Sequence, residues 1–248
     1  MKNLKKVLLR LVAALVLLIV TVLVQQVDPM QYDTQTDVYV FPDSLALLTF
    51  NQDSLREVVG SNKGLPKGFE IAALLAYAAY PQLKNVEIEM QLVPSGAPME
   101  SNFDLITLLG SGKNRKYIIY LNNAPDTPFD EILLRSLPFD SQVGILAHEL
   151  GHVAYYHRLS TLEIAKWGLM YLISDDFRAK HERSTDLMPV FHGLGSQIYQ
   201  YAWHVRNDPS CKELFESFGT SFIDKFYMSD KELAKAIRDH KLYKSSNL

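Results

Sequence analysis

The segment AHELGHVAYYH, residues 147–157, decides the fold because it places His148 and His152 four positions apart. On a helix, side chains at i and i+4 lie one above the other, so these two imidazoles can share a metal ion. Glu149 points about 100° around the same helix, where its carboxylate can take a proton from water at such a site. The spacing therefore predicts a helix that carries a metal site.

The remaining positions of this helix support the same prediction. A helix that carries a metal site on one face needs a face for the core opposite to it. Gly151 leaves room for a close neighbour beside the histidines, although glycine costs a helix about 1 kcal/mol relative to alanine. Asp140 or Ser141 is expected to cap the start of the helix. The apolar face opposite the histidines consists of Val143, Leu146, Leu150 and Val153.

Two histidines do not complete a zinc site, because a catalytic zinc takes three protein ligands and keeps one position open. The chain has a single cysteine, Cys211, which excludes a multi-cysteine site and leaves histidine or a carboxylate as the third ligand. A third histidine in an HExxHxxGxxH pattern is excluded because Tyr155 and Arg158 occupy the required positions. His157 is also excluded, since five residues rotate it about 140° away from His152.

The segment HERSTD, residues 181–186, supplies the best third ligand. Glu182 and Asp186 are four residues apart, so on a helix they face the same way. Glu182 can bind zinc while Asp186 accepts a hydrogen bond from the free ring nitrogen of a ligand histidine. Two rivals stay open, His181 in the same segment and Asp224, which follows a Gly-Thr pair.

The segments before the motif predict a small sheet. Residues 67–80 are rich in alanine and leucine and end before Pro81, which is typical of a helix. Residues 85–93 alternate between apolar and polar side chains, which predicts a half-buried strand. Residues 103–109 and 116–122 predict two more strands.

After Asp140 the pattern is helical, so the fold class is predicted as α+β, with a small sheet followed by a mostly helical metal-binding part. The apolar segment 161–173 spans about 20 Å as a helix, too short to cross a bilayer, and is predicted to be buried, with shallow contact with a membrane as the alternative. Pro189 is expected to kink or break the helix that carries Glu182 and Asp186. Further helices are predicted from capping boxes at Ser160 to Glu163 and Ser229 to Glu232, and at residues 195–205 and 212–218.

The N-terminus predicts one membrane helix. Lysines and Arg10 precede an apolar stretch, and residues 7–24 would extend about 27 Å, close to the thickness of a bilayer core. We therefore assign residues 1–26 to a signal anchor, 27–52 to a linker and 53–248 to the metal-binding domain. The positive flank predicts a cytoplasmic N-terminus and a domain outside the cytoplasm. A cleaved signal peptide and a secreted domain is the alternative, although no A-x-A-like site follows the apolar stretch.

The overall charge excludes one class of partner. The formal net charge is -3 and the isoelectric point is about 6.2. Proteins that bind nucleic acid usually carry a basic face. We therefore expect no nucleic-acid partner.

The HELGH segment followed by Glu182-x-x-x-Asp186 resembles the gluzincin metallopeptidases of the CAAX prenyl protease and heat-shock HtpX group. The resemblance covers residues 116–186. It implies a zincin-like fold and one Zn²⁺ per chain bound by His148, His152 and Glu182. It also implies that the chain hydrolyses a protein or peptide substrate, with Glu149 as the general base. It also implies that residues 116–122 lie near the cleft, where a substrate strand could pair with them.

The sequence departs from this group in two respects. The integral-membrane members have several spanning helices, whereas one is predicted here, and Thr185 replaces the usual alanine. A different class of function therefore stays open: a non-catalytic module, stabilised by its metal, that binds a partner protein at the membrane. The two classes differ in whether the fourth metal position is open or filled, for example by His181.

Overall fold

The computed structural model describes residues 52–104, 107, 114–218 and 221–244, together with residue 10. The predicted N-terminal anchor and nearly all of the predicted linker lie outside the described residues. Among the helices that are described, none has both the length and the apolar character needed to cross a membrane.

A four-stranded mixed sheet forms the first part of the described chain, with the strands in the order β1-β2-β4-β3. The first three of these are parallel, and β3 runs antiparallel to β4 with Ser101 opposite Ile119. The strands are β1 (Lys63–Gly64), β2 (Glu87–Val93), β3 (Met99–Phe103) and β4 (Lys116–Asn122).

Strand β4 lies inside the sheet, between β2 and β3, and its side chains are buried at alternate positions. Tyr117, Ile119 and Leu121 are fully buried, and Ile88 and Met90 of β2 are buried beside them. The prediction of a strand at 103–109 was wrong, since β3 ends at 103 and residue 107 is helical. The residue that faces inward in the middle of β3 is Ser101, which is short and polar, so the apolar pattern did not reveal this strand.

Helices make up most of the remainder, and the α+β class with a small sheet and a mostly helical second part is confirmed. Short 3₁₀ turns join some of them. The helices are α1 (Gln52–Val59), α2 (Glu70–Ala78), α3 (Phe139–Arg158), α4 (Thr161–Ile173), α5 (Asp175–Phe191), α6 (Gly195–Asn207), α7 (Pro209–Phe218), α8 (Ser221–Phe226), α9 (Asp230–Asp239) and α10 (Lys241–Lys244).

Helix α3 carries the HELGH segment through the middle of the fold, packed against α2, α5 and α6. The four residues of its predicted apolar face are fully buried. Gly144 allows α6 to approach, because a Cβ at this position would lie 2.3 Å from the backbone oxygen of Gln197. The predicted cap at Asp140 or Ser141 was wrong: the helix begins at Phe139, and no side chain caps it.

Helix α4 differs from its prediction in burial. Both capping boxes are present, at the starts of α4 and α9. However, only Ile164 and Trp167 of α4 are buried, and Leu172 is 83% exposed. Helix α5 also differs, because it continues through Pro189 to Phe191 rather than breaking after Asp186.

Candidate metal centre

Three potential metal ligands converge between α3 and α5. Atoms of ligand type on His148, His152 and Glu182 all lie within 4.8 Å of one another, and all three residues are buried. Oε2 of Glu182 lies 3.4 Å from Nε2 of each histidine. Within the described part of the chain, these three residues are the histidine, cysteine and carboxylate side chains that form this group.

Gly151 brings the two helices to this distance. A Cβ at Gly151 would lie 3.1 Å from Cβ of Met188 and 3.1 Å from Cγ2 of Thr185, both on α5. These values are at the close limit for a side-chain contact, so a larger residue would push α5 away. The glycine in the motif therefore sets the separation of the helix that bears the two histidines from the helix that bears Glu182.

Asp186 orients the first histidine. Its Oδ1 lies 2.9 Å from Nδ1 of His148, on the ring edge opposite the nitrogen that faces Glu182. Its Oδ2 accepts a hydrogen bond of 2.7 Å from the backbone N–H of Met228. Asp186 therefore holds the ring of His148 with Nδ1 protonated and Nε2 available as a ligand.

Tyr171 holds the carboxylate of Glu182 and was not predicted from the sequence. Its hydroxyl donates a hydrogen bond of 2.5 Å to Oε1 of Glu182. The other oxygen, Oε2, is the one that faces the histidines. Tyr171 lies on α4, eleven residues before Glu182, and only the packing of α4 on α5 reveals the contact.

His181 lies behind the second histidine and is not a member of the ligand group. Its Nε2 is 3.0 Å from Nδ1 of His152, and its Nδ1 accepts a hydrogen bond of 3.3 Å from the indole N–H of Trp167. Burial is the main cause that lowers the pKa of His181 to about 3, so the ring is neutral.

The hydrogen bond from Trp167 determines which nitrogen of His181 carries the hydrogen. An indole can only donate, so Nδ1 of the neutral His181 ring accepts and Nε2 donates to Nδ1 of His152. A metal bound at Nε2 of His152 needs the hydrogen on Nδ1 instead. Oγ1 of Thr185, 3.4 Å from Nδ1 of His152, is then the acceptor for this hydrogen, because Nε2 of His181 keeps its own.

The protonation of His148 and that of Glu182 depend on each other. Burial lowers the pKa of His148, but its hydrogen bonds to Asp186 and Glu182 outweigh this effect and raise the pKa to about 10. Burial raises the pKa of Glu182, but His152 and His148 hold it well below its usual range. Among the described residues, the ion-pair partners of Glu182 are these two histidines. In the metal-free chain, a proton on His148 therefore takes the place that a metal cation would occupy.

Glu149, the predicted base, is buried beside this group and contacts the sheet. The hydroxyl of Ser101 on β3 lies 2.6 Å from Oε2 of Glu149 and 2.9 Å from its backbone oxygen. Tyr227, which was also not predicted from the sequence, has its ring centroid 6.1 Å from that of His148. The chain reaches Tyr227 from the segment between α8 and α9, which no motif in the sequence marks.

The rival ligands have other partners. Asp224 faces Arg206, with Oδ1 3.5 Å from Nε. His157 points away from the ligand group, and its Nδ1 lies 3.5 Å from the hydroxyl of Tyr117. Tyr155 and Tyr156, which follow the motif, pack their rings against His181.

A second group of ligand-type side chains, His204, Asp208 and Cys211, lies where α6 meets α7. Asp208 accepts a hydrogen bond of 3.0 Å from the backbone N–H of Ser210, which caps the start of α7. Cys211 is fully buried in a small apolar cluster, and its thiol faces the backbone oxygen of Glu131. Helix capping and burial account for this group without a ligand.

Two histidines and one buried carboxylate form a ligand set of the kind that zinc takes in enzymes. An aspartate lies behind one of the histidines, and the carboxylate has no lysine or arginine partner among the described residues. No family model matches the chain, and no curated protein or solved structure matches it either.

Proposed function

We propose that the chain is a zinc-dependent endopeptidase with a zincin-like fold, held at the outer face of a membrane by its N-terminal segment. The observation that carries this proposal is the convergence of His148, His152 and Glu182 with Glu149 beside them. A structural metal site does not need a carboxylate that lies next to its ligands without being one of them, whereas a hydrolytic site needs a base there.

The residues of the site have separate tasks in this proposal. His148, His152 and Glu182 would hold one Zn²⁺, which when bound supplies a Lewis acid that makes water acidic enough to attack near neutral pH. Glu149 takes the proton from the attacking water and returns it to the amine that leaves as the peptide bond breaks. Asp186 keeps the ring of His148 in the tautomer that can bind.

An extended polypeptide is the substrate class that the sheet supports. Strand β4 was expected to pair with substrate, but it lies between β2 and β3 and both of its edges are occupied. Strands β1 and β3 are the two edge strands among the described residues, and β3 packs against α3. We propose that a substrate strand adds to β3, since a sheet edge offers unpaired backbone groups.

The test uses the full chain, purified in detergent and loaded with zinc, and dye-labelled casein as an unfolded substrate. We expect about one zinc per chain and cleavage of casein, while Glu149→Gln keeps the zinc and loses at least about 100-fold in kcat. Glu213→Gln, at an exposed position of α7, is the matched control and should cleave as wild type does. A zinc-loaded wild type that cleaves nothing would contradict the proposal.

A further inference from the structure

Ser101 occupies the middle of β3, with its side chain on the face toward α3. Its neighbours Glu100 and Asn102 are exposed, as the alternation of a strand requires. Its backbone is fixed by pairing with Ile119 of β4. The position of the Ser101 hydroxyl is therefore set by the sheet.

This hydroxyl contacts Glu149 through two oxygens. Oγ of Ser101 is 2.6 Å from Oε2 of the carboxylate and 2.9 Å from the backbone oxygen of the same residue. A hydroxyl has one hydrogen to donate, and an ionised carboxylate is the stronger acceptor. The shorter distance agrees with donation to the carboxylate.

We propose that Ser101 is a positioning residue for Glu149, and that its hydroxyl holds Oε2 so that Oε1 is presented to the attacking water. This inference rests on the proposed function, because it assigns the orientation of the proposed base. A carboxylate on a flexible side chain otherwise has several rotamers, and misplacement by about 1 Å costs an enzyme up to about 100-fold. The hydroxyl of Ser101 acts through Glu149 in this role.

The location of Ser101 also connects the base to substrate binding. The residue lies on the same edge strand that we propose receives the substrate. A polypeptide added to β3 would pair along the backbone that carries the hydroxyl. Glu149 would then be oriented by the strand to which the substrate binds.

The experiment compares Ser101→Ala and Ser101→Thr in the full zinc-loaded chain, with dye-labelled casein as substrate. We expect Ser101→Ala to lower kcat by about tenfold, which is part of the roughly 10²–10⁴-fold effect of a general base, with KM within about twofold and zinc content unchanged. Ser101→Thr keeps a hydroxyl and should recover most of the loss. Ser95→Ala is the matched control, since among the described residues its hydroxyl bonds to the backbone of Ala97, before β3 begins.

A second comparison separates positioning from a general weakening of the fold. Glu149→Asp keeps a carboxylate but withdraws it by one methylene from Ser101. We expect Ser101→Ala to cost about tenfold in the wild-type background and less than about twofold in the Glu149→Asp background, because the two residues act as a unit. A structural role of the serine would cost the same in both backgrounds.

The outcomes distinguish the inference from the function on which it rests. If wild type cleaves casein, Glu149→Gln does not, and Ser101→Ala retains the wild-type kcat, the inference is wrong and the proposed function stands. Equal losses for Ser101→Ala in the two backgrounds would also overturn it. If zinc-loaded wild type cleaves nothing, the proposed function fails and the inference fails with it.

Discussion

Adding zinc to the metal-free chain should release one proton per chain near neutral pH. The perturbation is the replacement of the proton on His148 by a metal ion. Against the lowering effect of burial, the hydrogen bonds to Asp186 and Glu182 raise the pKa of His148 to about 10. At pH 7.5 His148 is therefore mostly protonated, and a ligand histidine must be neutral.

The sign of the pH dependence follows from the same value. The apparent zinc affinity of the metal-free chain should rise about tenfold for each unit of pH between 6.5 and 9, because one proton must leave for each ion bound. Glu182 contributes no second proton, since its pKa is held well below its usual range. The raised pKa of His148 also stabilises the metal-free fold below pH 6.5, and this contribution is lost as the pH rises toward 10.

Isothermal titration of the metal-free chain with zinc, in buffers of different ionisation enthalpy at pH 7.5, measures the released protons. We expect a value near one and a melting temperature of the metal-free chain that falls between pH 6.5 and 10. Asp186→Asn is the control, because it removes one source of the raised pKa and should reduce the proton release. Release of no proton by the wild-type chain would refute the reasoning.

Four substitutions have further expected outcomes. Asp186→Asn should weaken zinc binding by about 10- to 100-fold in a chelator competition, because the tautomer of His148 is no longer held by a carboxylate. Tyr171→Phe leaves Oε1 of Glu182 without its donor and should destabilise the metal-free chain by about 1–3 kcal/mol in urea unfolding, whereas an unchanged midpoint would exclude the contact. Gly144→Ala should lower the melting temperature, because its Cβ would lie 2.3 Å from the backbone oxygen of Gln197. Gly168→Ala, in open space on α4, should instead stabilise by roughly 0.5–1 kcal/mol.

Local spacing predicted the parts of the site that lie within one helix. The i, i+4 rule places His148 over His152 and Glu182 over Asp186, and both pairs lie as the rule requires. The core face of α3 followed from the same period, because its four apolar residues recur on one side. These features depend on the geometry of a single helix and not on how the chain folds back.

The contacts between elements could not be predicted in this way. Tyr171 and Trp167 reach the site from α4, whose apolar composition predicted burial but not which side would face Glu182. Ser101 reaches it from β3, where Met99 and Ser101 alternate with exposed polar residues. An alternating pattern with a short polar residue in the middle was the available signal for this strand.

The role of His181 also depended on tertiary packing. The sequence left it open as a rival ligand because it adjoins Glu182. In the fold its ring lies against Trp167 and behind His152, and it is not one of the three converging ligands. Adjacent residues on a helix point about 100° apart, so one of the two had to face away.

The most direct test of the central claim is the zinc content of the full chain beside that of Glu182→Ala, after both have been stripped with a chelator, dialysed against equimolar zinc and desalted. The account predicts about one zinc per chain for wild type and at least a tenfold weaker retention for Glu182→Ala, since two histidines alone do not complete the site. Glu213→Ala should retain zinc as wild type does. A wild-type chain that retains no zinc, or a Glu182→Ala chain that retains as much as wild type, would contradict the account.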